Sequence, residues 1–141
     1  MGKIRKGQLQ SYITYVGEMT QVSSGSTTSN VMTPISTLNF TTSVAGDLLL
    51  NGFVFLQTLD TNGNDDILLQ LDLDTGAQTI GQGRLRPTAL YQGGNMGIGC
   101  KFTNVPAGNH SIRLMAMSNN SKQFQWIAGG CHIQVLQLVN V

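Results

Sequence analysis

Charged residues are scarce in this chain. Of its 141 residues, 11% are Asp, Glu, Lys or Arg, whereas a typical globular domain has about 25%. The net charge of +1 creates no field that would draw the chain to nucleic acid or to a membrane surface. A surface this poor in charge is either made of uncharged Ser, Thr, Asn, Gln and Gly, which this chain contains, or covered by neighbouring subunits. Both indicate a protein that works within an assembly, because charge is costly at the centre of a protein contact.

Long apolar runs are absent as well. No stretch approaches the ~20 apolar residues of a membrane span, and the beginning "MGKIRKGQLQ" lacks the apolar segment of a secretory signal. Two cysteines, Cys100 and Cys131, are too few for a disulfide framework, so we expect buried free thiols. His110 and His132 have no neighbours at metal-ligand spacing. We therefore expect neither a metal nor a cofactor.

Helical periodicity is missing too, and apolar residues alternate with polar ones or run in short blocks. In "SIRLMAM", for example, Ile112, Leu114 and Ala116 should share one face. About eight such strands predict an all-β fold, an antiparallel jelly-roll sandwich, over residues 34–141. Residues 1–33 contain one candidate strand, "SYITYVGEM", and the polar linker "TQVSSGSTTSN", and they are predicted to be an extended N-terminal arm rather than part of the core.

The closing stretch "CHIQVLQLVNV" has apolar residues at neighbouring as well as alternate positions. A strand of an isolated sandwich would have one polar face, so this strand is predicted to lie at a subunit interface. The residues assigned to that interface are Val135, Leu136, Leu138 and Val139.

The arm concentrates positive charge at its beginning. Its basic and aromatic residues, with one aliphatic neighbour, are Lys3, Ile4, Arg5, Lys6, Tyr12 and Tyr15. Two interpretations remain open: a solvated terminus, or an arm that docks on an acidic or phosphate-bearing partner.

The stretch "DTNGNDD" predicts a turn, and Asn62-Gly63 is a strong signal for a β-hairpin. It also places four oxygen-bearing side chains at the spacing of a calcium loop: Asp60, Asn62, Asn64 and Asp66. Such a loop requires Gly where the chain has Asp65 and Glu where it has Leu71. An acidic turn is therefore the favoured interpretation.

The triplet Asp74-Thr75-Gly76 follows an alternating apolar run, as it does in aspartic proteases. A chain of this length supplies one such carboxylate, so a protease would have to be a dimer in which two aspartates share a proton. The same triplet suits the corner of a β-hairpin, because Asp bonds its own backbone and Gly accepts a positive φ. We favour the corner and expect no enzymatic activity.

Two longer stretches carry a family resemblance. "VPAGNHSIRLMAMSNNSKQFQWIAGGCHIQVLQLVNV" and, more weakly, "VAGDLLLNGFVFL" resemble strands of the C1q/TNF-like jelly rolls in virion proteins of tailed bacteriophages. The resemblance implies a homotrimer made in the host cytoplasm and carried on the capsid surface. Its partner would be the major capsid protein or another virion protein. The size of the chain favours a capsid decoration (cement) protein attached through its arm.

A second hypothesis is the receptor-binding or glycan-binding head of a phage fibre, with a host surface glycan as its ligand. The candidate ligand surface combines aromatic rings with amides: Tyr91, Asn95, Asn119, Asn120 and Trp126. For Trp126, packing in the core is the favoured interpretation.

Overall fold

The computed structural model describes residues 11–20, 23–59, 66–87, 89 and 91–140, and these residues form strands joined by turns. The strands are β1 (Ser11–Thr20), β2 (Gly25–Thr27), β3 (Thr33–Thr42), β4 (Gly46–Thr58), β5 (Ile67–Leu73), β6 (Gln78–Leu85), β7 (Gly93–Val105), β8 (Gly108–Ser118) and β9 (Phe124–Asn140). One antiparallel sheet has the order β1-β9-β4-β7, with β2 also paired to β9, and the other has the order β3-β8-β5-β6. The first sheet thus has five strands, counting the short β2, and it faces the second sheet of four; strands in this order make a jelly-roll sandwich, as predicted.

The core lies between the two sheets and follows the period-two alternation of the strands. On β4, Leu48 and Val54 are fully buried, and on β8 the predicted set Ile112, Leu114 and Ala116 is fully buried. Each such large aliphatic side chain contributes about 1.5–3 kcal/mol on leaving water. The alternation read from "SIRLMAM" is confirmed.

Strand β1 is an integral part of the sandwich. It pairs with β9 from Ser11 to Thr20, and Met19 is 1% exposed within the core. The predicted arm therefore needs correction over residues 11–20, because this segment supplies the eighth long strand. The register shift between Tyr15 and Gly17 marks a bulge, which breaks the alternation by which strands are recognised in a sequence.

The segment between β4 and β5 connects the two sheets. Since β4 pairs with β7 and β9, whereas β5 pairs with β6 and β8, the hairpin predicted from Asn62-Gly63 is wrong. A local turn signal reports a reversal of the chain but does not determine which strand becomes the partner. Residues 60–65 themselves lie outside the described residues.

The sandwich is closed along one side by glutamine side chains of β6. Gln78 Nε2 donates to the Thr103 carbonyl oxygen over 2.7 Å, and Gln78 Oε1 accepts from the Thr103 amide over 2.9 Å. Gln82 Oε1 accepts from the Gly99 amide over 3.1 Å. These bonds satisfy backbone groups on the edge of β7, which would otherwise be open to another strand.

Both cysteines are free, as predicted. Cys131 is buried and Cys100 is half-buried. Burial raises the pKa of each thiol to about 11, so both are poor nucleophiles at neutral pH.

Candidate assembly surface

The outward face of the β1-β9-β4-β7 sheet carries apolar side chains that lie side by side. Across the strands, Ile13 is opposite Leu138, Tyr15 is opposite Leu136, and Leu136 is opposite Leu49. Residues directly opposite each other share one face of a sheet. We call these five residues the assembly face. Ile13 and Tyr15 are 58% and 60% exposed.

The predicted interface residues of β9 divide between the two faces of the strand. Leu136 and Leu138 are half-buried and belong to the assembly face. Val135 and Val139 are 0% and 5% exposed, so the prediction is corrected for these two, which pack in the core of their own chain. Strand β9 does have apolar residues on both faces, as the sequence predicts. One of these faces, however, is already buried against the other sheet of the same chain.

One ion pair and one histidine–glutamate contact flank the assembly face. Lys101 Nζ lies 3.6 Å from Asp47 Oδ2, and His132 Nε2 lies 3.7 Å from Glu18 Oε1. The ring of Phe53, 43% exposed, stacks on His132 with centroids 6.3 Å apart. Because Lys101 and Asp47 already neutralise each other, covering the face does not leave these two charges unpaired, which reduces the cost of association.

The outward face of the other sheet differs at its centre. There Arg113 Nε donates to Asp72 Oδ1 over 2.9 Å, and a second guanidinium nitrogen of Arg113 contacts Asp72 Oδ2 at 2.5 Å. These residues belong to β8 and β5, the two central strands of that sheet. The face with exposed aliphatic side chains is thus the one built on β1 and β9.

The residues predicted for the arm do not act as one group. Tyr15 belongs to the assembly face, whereas Tyr12 lies opposite Val139 on the core side of β1 and is 42% exposed at the edge of the sheet. Lys3, Ile4, Arg5 and Lys6 lie outside the described residues, so their role stays a prediction.

The candidate ligand residues lie in different places. Tyr91 is 62% exposed before β7, and Gln57 Nε2 donates to its carbonyl oxygen over 2.7 Å. Asn119 and Asn120 form the exposed β8–β9 turn. Asn95 lies on β7 opposite Phe55. Trp126 packs against the core, with its ring centroid 6.3 Å from that of Phe124.

Asp74 lies at the corner of a hairpin, as favoured from the sequence. Strands β5 and β6 are antiparallel neighbours, and residues 74–77 join them. The Asp74 carboxylate accepts from the Ser111 amide over 2.9 Å and contacts His110 Nδ1 at 2.7 Å. The carboxylate that a protease would need for catalysis instead holds the β5–β6 turn against strand β8.

The described end of the calcium-like loop is neutralised by arginine. Asp66 Oδ1 accepts from Arg86 Nε over 2.7 Å, and Asp66 Oδ2 lies 3.3 Å from Arg84 Nη1. The hydrogen bond from Arg86 is the main cause that lowers the pKa of Asp66. Among the described residues, no group of three or more His, Cys, Asp or Glu side chains is arranged to hold a metal ion. The same part of the chain contains no helix of the length and hydrophobicity that crossing a membrane requires.

Sequence reasoning missed the contributions of Ile13 and Leu49 to the assembly face. Ile13 alternates with Tyr15, which was a usable signal. The face nevertheless becomes visible only when the register of β1 and β4 on β9 is known.

No protein-family model matches the chain, and neither does any curated protein sequence. Solved structures do match it. The VP2 subviral particle of infectious bursal disease virus matches with 11% identity and a TM-score of 0.57, covering 93% of this chain and 38% of VP2. The dimeric latent PorU of Porphyromonas gingivalis matches with 11% identity and a TM-score of 0.60, covering 93% of this chain and 13% of PorU.

The Eiger TNF of S. frugiperda matches with 8% identity and a TM-score of 0.49, over 91% of this chain and 96% of that protein, a similarity too distant to carry an argument. The chain spans 32–40% of the length of the first viral proteins that it matches. What these similarities establish is the fold: the chain is a jelly-roll sandwich of the kind found within the particle protein of a virus.

Proposed function

We propose that this chain is a structural protein of a virus particle, a decoration protein that assembles as a homotrimer and reinforces the outer surface of a capsid. The assembly face is the observation that carries the proposal. It presents the exposed side chains of Ile13 and Tyr15 on β1 beside the half-buried leucines of β9 and β4. Contiguous exposed apolar surface of this kind marks a protein interface rather than an ordinary surface.

Three further observations support this assignment. The scarcity of charged residues suits a chain whose surface is largely covered in an assembly. The fold is shared with the VP2 particle protein, and the last two strands resemble trimeric jelly rolls of phage virions. The capsid would be stabilised by linkage, because a trimer bound across capsid subunits must dissociate before they can separate.

Attachment to the capsid is assigned to residues 1–10, which carry Lys3, Arg5 and Lys6. The test compares the full chain with a form that begins at Ser11, so that β1 is kept. Both are mixed with capsids that lack the protein and are sedimented together. The full chain should sediment with the capsids and the shortened form should remain in solution; equal binding of both would contradict a role for the basic segment.

Glycan binding remains a second candidate because Tyr91 presents an exposed ring from a constrained backbone. Its φ is 58°, and the Gln57 hydrogen bond holds its carbonyl group. An exposed aromatic ring has an apolar face that suits stacking on a sugar ring. A glycan array with the intact chain and Tyr91→Ala distinguishes the functions: binding that this substitution abolishes would favour the fibre head over the decoration protein.

A further inference from the structure

The imidazole of His110 is almost enclosed and has a hydrogen-bond acceptor at each nitrogen. Its side chain is 5% exposed. Nδ1 lies 2.7 Å from Asp74 Oδ2, and Nε2 lies 2.6 Å from the Pro106 carbonyl oxygen. The ring therefore connects the β5–β6 turn, which holds Asp74, to the β7–β8 turn, which holds Pro106.

Both contacts are satisfied only when both ring nitrogens carry a proton. A carboxylate and a backbone carbonyl can accept hydrogen bonds but cannot donate them, and a neutral imidazole has a single N–H. In the neutral ring one nitrogen lone pair would face an acceptor oxygen at close range. The geometry thus requires the imidazolium form.

The electrostatic surroundings agree with this geometry. Burial, the largest single influence, favours the neutral ring, but the hydrogen bonds to Asp74 and Pro106 and the charge of Asp74 outweigh it. Together they raise the pKa of His110 above its ordinary value of 6.5.

Uncharged residues make up the rest of the surroundings. From β3 and β8 the neighbouring side chains are Asn39, Phe40, Thr41, Asn109 and Ser111, which line a shallow cavity of about 440 Å³ together with Asp74 and His110. The Phe40 ring centroid lies 5.7 Å from that of His110. At the end of β3, the Thr42 hydroxyl donates to the Pro106 carbonyl oxygen over 3.1 Å. Among the described residues around His110, Asp74 is thus the one that carries a charge.

The turn that His110 holds is strained. Asp74 and Thr75 have φ values of 51° and 55°, in the left-handed region, where a β-branched residue such as Thr is a marked outlier. Three contacts keep Asp74 in this conformation. Its backbone N–H donates a hydrogen bond to the Ser111 carbonyl oxygen over 2.8 Å, and its carboxylate is held by the Ser111 amide and by His110. Such backbone persists only where its surroundings determine it.

We propose that protonated His110 is a latch between the β5–β6 and β7–β8 turns, and that this end of the sandwich opens as the ring loses its proton. The direction in which stability changes with pH follows from the linkage between proton binding and folding. A group whose pKa is higher in the folded chain stabilises it fully below the unfolded-state value of 6.5. That stability is lost as the pH rises through the folded-state pKa. Across this window the unfolding equilibrium constant rises about tenfold for each pH unit.

The direct test is a titration of the imidazole by ¹⁵N NMR in the intact chain. His132→Gln, which alters the exposed histidine, leaves His110 as the remaining histidine. At pH 6.5 both ring nitrogens of His110 should show imidazolium shifts, and the midpoint should lie above 6.5. A neutral tautomer at that pH, or a midpoint below 6.5, would overturn the proposal without any substitution at position 110.

Amide exchange tests the opening itself. The protection factor of the Ser111 amide should fall through the same midpoint, while that of Leu48 in the core stays constant. The glutamine of His110→Gln has its donors on a single nitrogen, so it cannot donate to both Asp74 and Pro106 as the imidazolium does, and it does not titrate in this range. In this variant the protection of Ser111 should be low and independent of pH. The latch would be refuted if the Ser111 protection factor fell with rising pH as much in His110→Gln as in the unsubstituted chain. It would also be refuted if that protection factor did not fall in the unsubstituted chain.

Discussion

Gln78 offers a quantitative test of how the sandwich is closed. Its amide makes two hydrogen bonds to the backbone of Thr103, and each is worth about 0.5–1.5 kcal/mol net. Gln78→Ala should therefore lower the free energy of unfolding by about 2 kcal/mol. It also leaves an amide and a carbonyl group unpaired on the edge of β7, which should promote association of this edge with other strands.

The assay is urea unfolding of Gln78→Ala at two protein concentrations, with light scattering to detect association. Gln78→Glu separates the two bonds, because a carboxylate still accepts from the Thr103 amide but cannot donate to its carbonyl group. Thr79→Val, an exposed neighbour that keeps a β-branched side chain, is the matched control. A loss under about 0.5 kcal/mol in Gln78→Ala, or equal losses in all three variants, would refute the reasoning.

Two further substitutions test other parts of the fold. Met19→Ala should cost about 2–5 kcal/mol in urea unfolding because this side chain of β1 is buried in the core; a cost below 1 kcal/mol would show that β1 is a detachable arm after all. Thr75→Gly should raise the free energy of unfolding by about 0.5–1 kcal/mol by relieving a left-handed β-branched residue. As a control, Thr79→Gly within β6 should lower the free energy of unfolding. A lower free energy of unfolding in Thr75→Gly as well would contradict the inference that the turn is strained.

Sequence patterns were most informative where one strand determines its own burial. The alternation of Ile112, Leu114 and Ala116 identified a core face directly, because side-chain direction in a strand depends on local geometry. The apolar residues on both faces of β9 likewise indicated a second buried surface. In β1 the same alternation indicates a strand, but it does not reveal that this strand pairs with β9 in the sandwich.

Features that depend on pairing between distant segments could not be predicted. His110 and Asp74 are 36 residues apart, and each looks like an ordinary turn or strand residue until the sheet brings them together. The hairpin expected at Asn62-Gly63 failed for a related reason, since the jelly-roll topology sends β4 and β5 to opposite sheets. Which of Val135 and Leu136 faces the core is likewise settled by the position of the second sheet.

The most direct test of the assembly is the molar mass of the chain by light scattering on a sizing column. The unsubstituted protein should have a mass near three times the 15.1 kDa of one chain. Tyr15→Lys, which places a charge on the assembly face, should have the mass of one chain, and Asn39→Lys, on the outward face of the other sheet, should remain a trimer. A single-chain mass for the unsubstituted protein, or a trimer that Tyr15→Lys leaves intact, would contradict the proposed assembly.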